Sequence, residues 1–404
     1  MVRGVKAVYS QYIQVLRWIV ACLLAVFAIC ICAESGTSNF YDSSGLHISA
    51  SPGTLLRYEP LELPFFYRAK AWRILYATRD YAGRPAASSG VVVVSEFAPP
   101  ASERHIVAWA HPTIGTNRKC APSLRNSPVE SISGINEMIT GGYIVVATDY
   151  PGLGTGGPFG LLIGKSQGQA VIDSVRAARQ VPGVGGGNRY ALWGYSQGGH
   201  AALFAAGMSA AYAPELSLVA VAAAAPPSDL DELLNADIRS VDGRILAAMA
   251  LSSWSKAYAV PMDSLVGNDV ARIVAGVNAI CIDDLGGKLR VLAAQEPLAK
   301  KFLNYDPSAY QPWKGLLQLN SLRGISGSAP VFISQGADDK LVRPSVTRQF
   351  VRRLCNSGKS VTYNVVKEAD HDKIARLSAA SAISWIGDRF EGKILANSCG
   401  LAQT

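Results

Sequence analysis

Short apolar runs that alternate with stretches of helical period set the first limit on this fold. The runs are "GVVVVSE" (90–96), "HIVAWA" (105–110), "YIVVATDY" (143–150), "YALWGY" (190–195), "LVAVAAAA" (218–225), "PVFISQG" (330–336) and "VTYNVV" (361–366). Several are apolar at consecutive positions, as strands are when helices cover both faces of a sheet. Helical spacing is found over 165–180, 198–213, 345–358 and 373–390. That order of elements predicts an α/β fold with a mostly parallel sheet and helices on both faces. With 49% hydrophobic and 17% charged residues, the chain has the composition of a large globular core and not of a disordered one. The alternation fails between about Asp231 and Ser328. That stretch has helix-like segments at 245–254, 270–280 and 289–303 and no good strand, so an inserted helical subdomain is expected over 231–328. The glycines of "VPGVGGGN" (181–188) precede a strand and follow no phosphate-loop pattern.

The first 33 residues differ from the rest. Arg3, Lys6 and Arg17 are the only charges, and Trp18 to Ala33 is unbroken by any. The run falls short of the roughly 20 residues that a membrane-spanning helix needs. A basic flank, a short apolar core and small residues at its end describe a secretory signal, with cleavage near Cys32 or Ala33. The alternative is an uncleaved N-terminal membrane anchor. Residues 34–60 are polar and rich in Gly and Ser, and are expected to form a mobile leader ahead of a main domain over 61–404. Three of the seven Cys lie in the signal, which leaves Cys120, Cys281, Cys355 and Cys399. An even remainder in an exported chain points to two disulfides, with three pairings open. No Cys/His spacing supports a metal site. The formal charge of +8 is spread along the chain, so no nucleic-acid groove is expected and a weak preference for anionic surfaces is the most it implies.

"GYSQG" (194–198) lies between the run 190–195 and the Ala-rich helical stretch. A Ser hydroxyl needs exposure, orientation and a neighbouring base to act as a nucleophile. In a tight strand-turn-helix elbow, side chains two residues either side of the Ser would collide, and Gly194 and Gly198 stand at those positions. Ser196 is therefore the expected nucleophile. In such elbows the acid and the His follow in that order. Beyond the adjacent His200, which falls in the next helix and is expected to be packed or exposed there, His371 is the only later His and is assigned as base. The loop after the run 330–336 offers Asp338 and Asp339, of which Asp339 is favoured. Asp370 is a neighbour of His371 that cannot reach its ring well, and is expected to be a solvated loop charge. A tetrahedral oxyanion needs backbone donors. One is the N–H of Gln197. The other comes from "HPTIGT" (111–116), where Pro112 has no N–H and Thr113 or Ile114 must supply it.

With these residues in place the chain resembles the secretory lipase family, the lipase-A-like group of α/β-hydrolases. The likeness rests on "AWRILYATRDYAGRPAASSGVVVV" (71–94), "AWAHPTIGTNRKCAPS" (108–123), "GGYIVVATDYPGLG" (141–154), "GYSQGGHAA" (194–202), "YAPEL" (212–216), "DKLV" and "EADH", in the right order over most of the chain. It implies an α/β-hydrolase fold and hydrolysis of carboxylic esters, with acylglycerols as the usual substrates and no metal or cofactor. It also implies that 231–328 is a cap, and that Cys120 pairs with Cys281 and Cys355 with Cys399. One departure is "HPTIG" where many bacterial relatives have H-G-T-T-G; Pro for Gly stiffens this loop. The expected function is thus a secreted serine hydrolase, a triacylglycerol lipase that meets a lipid or small-molecule ester, with contact at a lipid–water interface. The alternatives are a carboxylesterase for short-chain or aromatic esters, and a non-catalytic binding protein on a hydrolase scaffold.

Overall fold

The computed structural model describes residues 40–400, except 50, 101, 103, 264, 283–286, 288, 290–292, 294–297, 299–301 and 394–396. The expected signal, 1–33, and most of the segment 289–303 lie outside the described residues. Among the described residues no helix is long and apolar enough to cross a membrane.

Nine strands form one sheet in the order β1-β2-β3-β5-β4-β6-β7-β8-β9. They are β1 (Leu55–Leu61), β2 (Ala69–Arg79), β3 (Pro85–Ser95), β4 (Ile106–Ala110), β5 (Ile144–Thr148), β6 (Arg189–Tyr195), β7 (Ser217–Ala224), β8 (Val331–Gly336) and β9 (Val361–Val366). β1, β2, β3 and β5 pair antiparallel, and every pairing from β5 to β9 is parallel. All seven runs expected to be strands are strands. β1 corrects the expected leader: all its residues but Leu61 fall within 34–60, yet the strand is hydrogen-bonded to β2, with Tyr58 opposite Ile74.

Side chains alternate between two apolar layers, as a pleated strand requires. Val92, Ala108, Val146 and Leu192 point into one layer, and Val93, Trp109, Val145 and Trp193 into the other. The first layer is covered by α2 (Gly164–Ala178), α3 (Gln197–Tyr212) and α8 (Pro344–Asn356). The second is covered by α1 (Ile135–Thr140) and α9 (His371–Phe390). Between β7 and β8 the described residues form α4 (Leu230–Asp237), α5 (Val241–Tyr258), α6 (Asn268–Asn278) and α7 (Trp313–Asn320). Side-chain caps start α4 and α5: Asp229 accepts from the Glu232 N–H and Ser240 from the Gly243 N–H. In this stretch the described residues join a strand-like pair only at the single bridge between Cys281 and Gly115.

Candidate active site

The turn from β6 to α3 places Ser196 in a positive-φ conformation, φ 52° and ψ −122°. A non-glycine residue there is strained, and such strain gathers where function requires it. The flanking glycines make the turn sterically feasible. A Cβ on Gly194 would lie 2.2 Å from the Gly198 carbonyl oxygen, and one on Gly198 would lie 1.8 Å from the Ala110 carbonyl oxygen. The Ser196 N–H is held by the Ala224 carbonyl at 2.9 Å, so neighbouring β7 fixes the elbow.

His371 Nε2 lies 2.9 Å from Ser196 Oγ, and His371 Nδ1 lies 2.8 Å from Asp339 Oδ2. His371 is the first residue of α9, which begins two residues earlier than its apolar spacing predicts. The cause is its cap: Asp370 accepts from the Lys373 N–H and pairs with the Lys373 ammonium. Asp370 is thus the helix cap and not a free loop charge. The Tyr195 hydroxyl donates to the His371 carbonyl at 2.6 Å, tying the start of α9 to the strand that leads to Ser196.

Asp339 is buried and Asp338 is exposed. Asp339 Oδ1 accepts from the N–H groups of Leu341 (2.9 Å) and Val342 (2.8 Å), and Oδ2 from Gln335 Nε2 (3.1 Å) as well as from His371. Gln335, wholly buried at the end of β8, also donates to the Val342 carbonyl and accepts from Thr347 Oγ1 at 2.6 Å. It therefore anchors both the carboxylate and the loop that presents it.

Of the three sequence-derived oxyanion residues, Thr113 and Gln197 line the cavity at Ser196 and Ile114 does not. The Ile114 side chain packs in the core, and its carbonyl accepts from the Ile282 N–H at 2.9 Å. The loop that carries Thr113 is held from beneath. His111 is buried, and desolvation lowers its pKa to about 4, so the ring is neutral near pH 7. A neutral ring carries one N–H. The 2.7 Å contact assigns it to Nδ1, donating to the Pro112 carbonyl. The Tyr150 hydroxyl donates to the His111 carbonyl at 3.2 Å. Next to it, buried Asp149 accepts from Ser89 Oγ (2.6 Å), the Ser123 N–H (3.0 Å) and the Ser123 hydroxyl. Burial raises that carboxyl to about 6. These bonds join β3, β5 and the "CAPS" turn beneath the loop.

Two disulfides are present, Cys120–Cys281 and Cys355–Cys399. The first ties the chain just past the 111–116 loop to the helical stretch between β7 and β8.

The model of the family described as "Secretory lipase" matches residues 129–259 and 313–398, more than half of the chain. This chain belongs to the secretory lipase family. Among its relatives, Lipase 2 of Candida albicans is 27% identical over 400 residues, covering 89% of this chain and 82% of the relative. A probable inactive lipase of Mycobacterium tuberculosis is 26% identical over 387 residues, covering 88% of this chain and 82% of its own. In fold, the chain is similar to Candida antarctica lipase A in its closed state, with a TM-score of 0.74 and 18% identity over 87% of this chain and 85% of that one. It is also similar to a rice cell wall degrading esterase from Xanthomonas oryzae, with a TM-score of 0.69 and 21% identity over 84% and 98%. At these identities the two structures bear on the fold alone, which is that of the α/β-hydrolases.

In this member of the secretory lipase family, Ser196 opens onto a cavity that is open to solvent at its mouth. Leu161, Leu233, Leu246, Leu251 and Trp254 supply much of its wall. Most of the cavity wall comes from α4 and α5, and most of it is apolar. His200 lies outside it. That ring is fully buried, with Nε2 donating to the Asn320 carbonyl at 2.7 Å, and desolvation lowers its pKa to about 4. The sequence reading missed Gln335, Tyr195 and Asp149. Gln335 did leave a signal, a polar amide inside an otherwise apolar strand, where burial demands partners.

Proposed function

We propose that this chain is an esterase of the lipase type, working through an acyl-enzyme on Ser196, with acylglycerols as its substrate class. One observation carries the reading: an unbroken hydrogen-bond chain from Ser196 through His371 to Asp339, opening on an apolar cavity. His371 Nε2 takes the Ser196 proton as Oγ attacks the ester carbonyl. Asp339 holds the ring in the tautomer with Nδ1–H and stabilises the imidazolium that forms. The backbone N–H groups of Gln197 and Thr113 receive the oxyanion, each worth roughly 3 kcal/mol in the transition state. Neither N–H forms a hydrogen bond among the described residues, so both are free for that task. His371 then protonates the departing alcohol, and a water deprotonated by the same ring clears the acyl group.

The helices between β7 and β8 serve as a cap in this reading. Their leucines exclude water and hold a fatty acyl chain, which an apolar wall favours over a small polar acyl group. Residues 1–33 supply the export signal, consistent with a secretory family and with two disulfides. A relative described as a probable inactive lipase makes loss of catalysis a real alternative in this family. The intact Ser-His-Asp geometry favours an active enzyme here. Ser196→Ala is the test. It should remove hydrolysis of a p-nitrophenyl ester by a factor on the order of 10⁵ while the circular dichroism stays that of the native protein. Activity retained in that variant would remove Ser196 from the mechanism.

A further inference from the structure

One acidic side chain lines the apolar cavity beside Ser196: Asp237, the last residue of α4. Its Oδ1 is buried without a hydrogen-bond partner, and no side-chain hydrogen bond or ion pair of this residue exists among the described residues. The backbone around it is fixed. Its carbonyl accepts from the Ser240 N–H at 2.9 Å and from Ser240 Oγ at 3.0 Å, and Gly243 packs so closely that an added Cβ would lie 2.4 Å from that of Asp237.

Three local rules fail at this residue. A carboxylate at a helix C-terminus opposes the helix dipole. An acid among leucines loses part of its hydration, and no protein donor replaces it. A buried carboxyl oxygen normally has a donor. The charged and titratable groups acting on Asp237 are Arg343, Asp339 and His371. Arg343 gives a hydrogen bond to the neighbouring Ala236 carbonyl at 3.2 Å, Asp339 is engaged by His371, and none of the three bonds the Asp237 carboxyl. Desolvation moves this carboxyl up to about 7. Local rules that fail together, inside a binding cavity and without compensation in the protein, mark a position that faces a ligand.

We propose that Asp237 is the polar anchor of this cavity and accepts a hydrogen bond from a hydroxyl group carried by the ester substrate. The proposal rests on ester hydrolysis at Ser196. A hydroxyl suits the site because a carboxyl accepts its proton whether ionised or neutral. A substrate cation would meet Arg343 and an apolar wall. The hydroxyl has two chemical sources: the alcohol part of the substrate, as in a partial glyceride, or the acyl chain, as in a hydroxy fatty acid.

Matched substrate pairs separate the two sources. In one arm, kcat/KM for a 1-monoacylglycerol is compared with that for the propyl ester of the same acid. In the other, the p-nitrophenyl ester of a hydroxylated fatty acid is compared with that of its unsubstituted parent. Each pair is run on the wild type, Asp237→Leu and Asp237→Asn, with Ser196→Ala as blank. The wild type should prefer the hydroxylated member of one pair by about 10-fold or more, because a site built to bond a hydroxyl discriminates strongly against its absence. Asp237→Leu should bring that ratio near one, and Asp237→Asn, which keeps an acceptor, should keep most of it. The arm that shows the preference identifies the source. A wild-type ratio near one in both arms overturns the proposal without recourse to any variant, and so does a ratio unchanged in a folded Asp237→Leu protein. If the unsubstituted esters are not hydrolysed in a Ser196-dependent way, ester hydrolysis itself fails and takes this proposal with it.

Discussion

Asp339 and Asp237 are two carboxylates near one serine, held in opposite ways. Asp339 follows a strand. Its two oxygens accept from two backbone N–H groups, an amide and an imidazole. Asp237 ends a helix, and Oδ1 accepts from nothing. The contrast extends to their surroundings. At the carboxyl ends of β6, β8 and β9 each member of the proposed triad is fixed by hydrogen bonds. Between β7 and β8, apolar side chains of α4 and α5 enclose the cavity, and the hydrogen bonds of Ser253, Trp254 and Asn320 lie behind them. A hydroxyl that must attack a carbon needs its base within hydrogen-bond reach. A leucine wall tolerates changes in volume that a proton-transfer chain does not. In the proposed function the chemistry is thus written into the sheet, and choice of substrate into the helices.

The largest effect should come from the sheet side. Asp339→Asn is expected to lower kcat by a factor on the order of 10⁴, because the amide favours the wrong imidazole tautomer. Asp338→Asn, at an exposed position, should stay within about threefold. Equal losses in the two variants would break the assignment. Next is the tie between the two regions. Cys120–Cys281 closes a loop with a sequence separation of 161, and replacing both residues by Ala should lower stability by about 4–5 kcal/mol in a denaturant titration. A loss well under 1 kcal/mol would mean that the helical region is anchored by its apolar contacts and hydrogen bonds without the bridge.

A smaller effect should appear in the cavity. Leu246→Trp fills space that the acyl chain needs, so kcat/KM for a sixteen-carbon ester relative to a four-carbon ester should fall by about 10-fold. A parallel fall for both chain lengths would mean that the residue supports the catalytic side and not the acyl chain. A last effect, read on stability and not on rate, is in pH dependence. The His200 pKa is near 4 in the folded state and near 6.5 when unfolded, so between these values the unfolded chain binds more protons. Its contribution to stability is present above about 6.5 and is lost as the pH falls towards 4. Asp149 and Asp173, both raised to about 6 by burial, act in the opposite sense between 3.8 and 6, and His111 acts in the same sense as His200. Comparison with His200→Gln cancels these shared terms. The stability of the wild type relative to the variant should rise from pH 4 to 6.5 and then level off; a flat difference across that window would show that His200 is not kept neutral by burial.

The sequence carried the sheet and the elbow well because both announce themselves locally. "YALWGYSQGGHAALFAAG" holds a strand, a turn whose glycines are dictated by sterics, and a helix in consecutive residues. β1 was missed because "LLRYEPL" mixes charges and a proline, which an edge strand paired on one side accommodates. The start of α9 was placed two residues late because a cap is a single side chain and leaves no apolar rhythm. Asp237 was beyond reach for another reason. It is an ordinary polar residue until its surroundings are known, and those come from parts of the chain that no local pattern joins. The same holds for His200, whose partner lies 120 residues away.

The footing of the 111–116 loop has a practical consequence for engineering. The segment His111–Gly115 looks short enough to be transplanted into another hydrolase as a cassette. Its shape, however, is secured by the hydroxyl of Tyr150, beyond the end of a different strand, next to an Asp149 carboxyl that is gripped by Ser89 and Ser123. A graft that moves the five residues and leaves these partners behind would carry the motif without the scaffolding that gives it form.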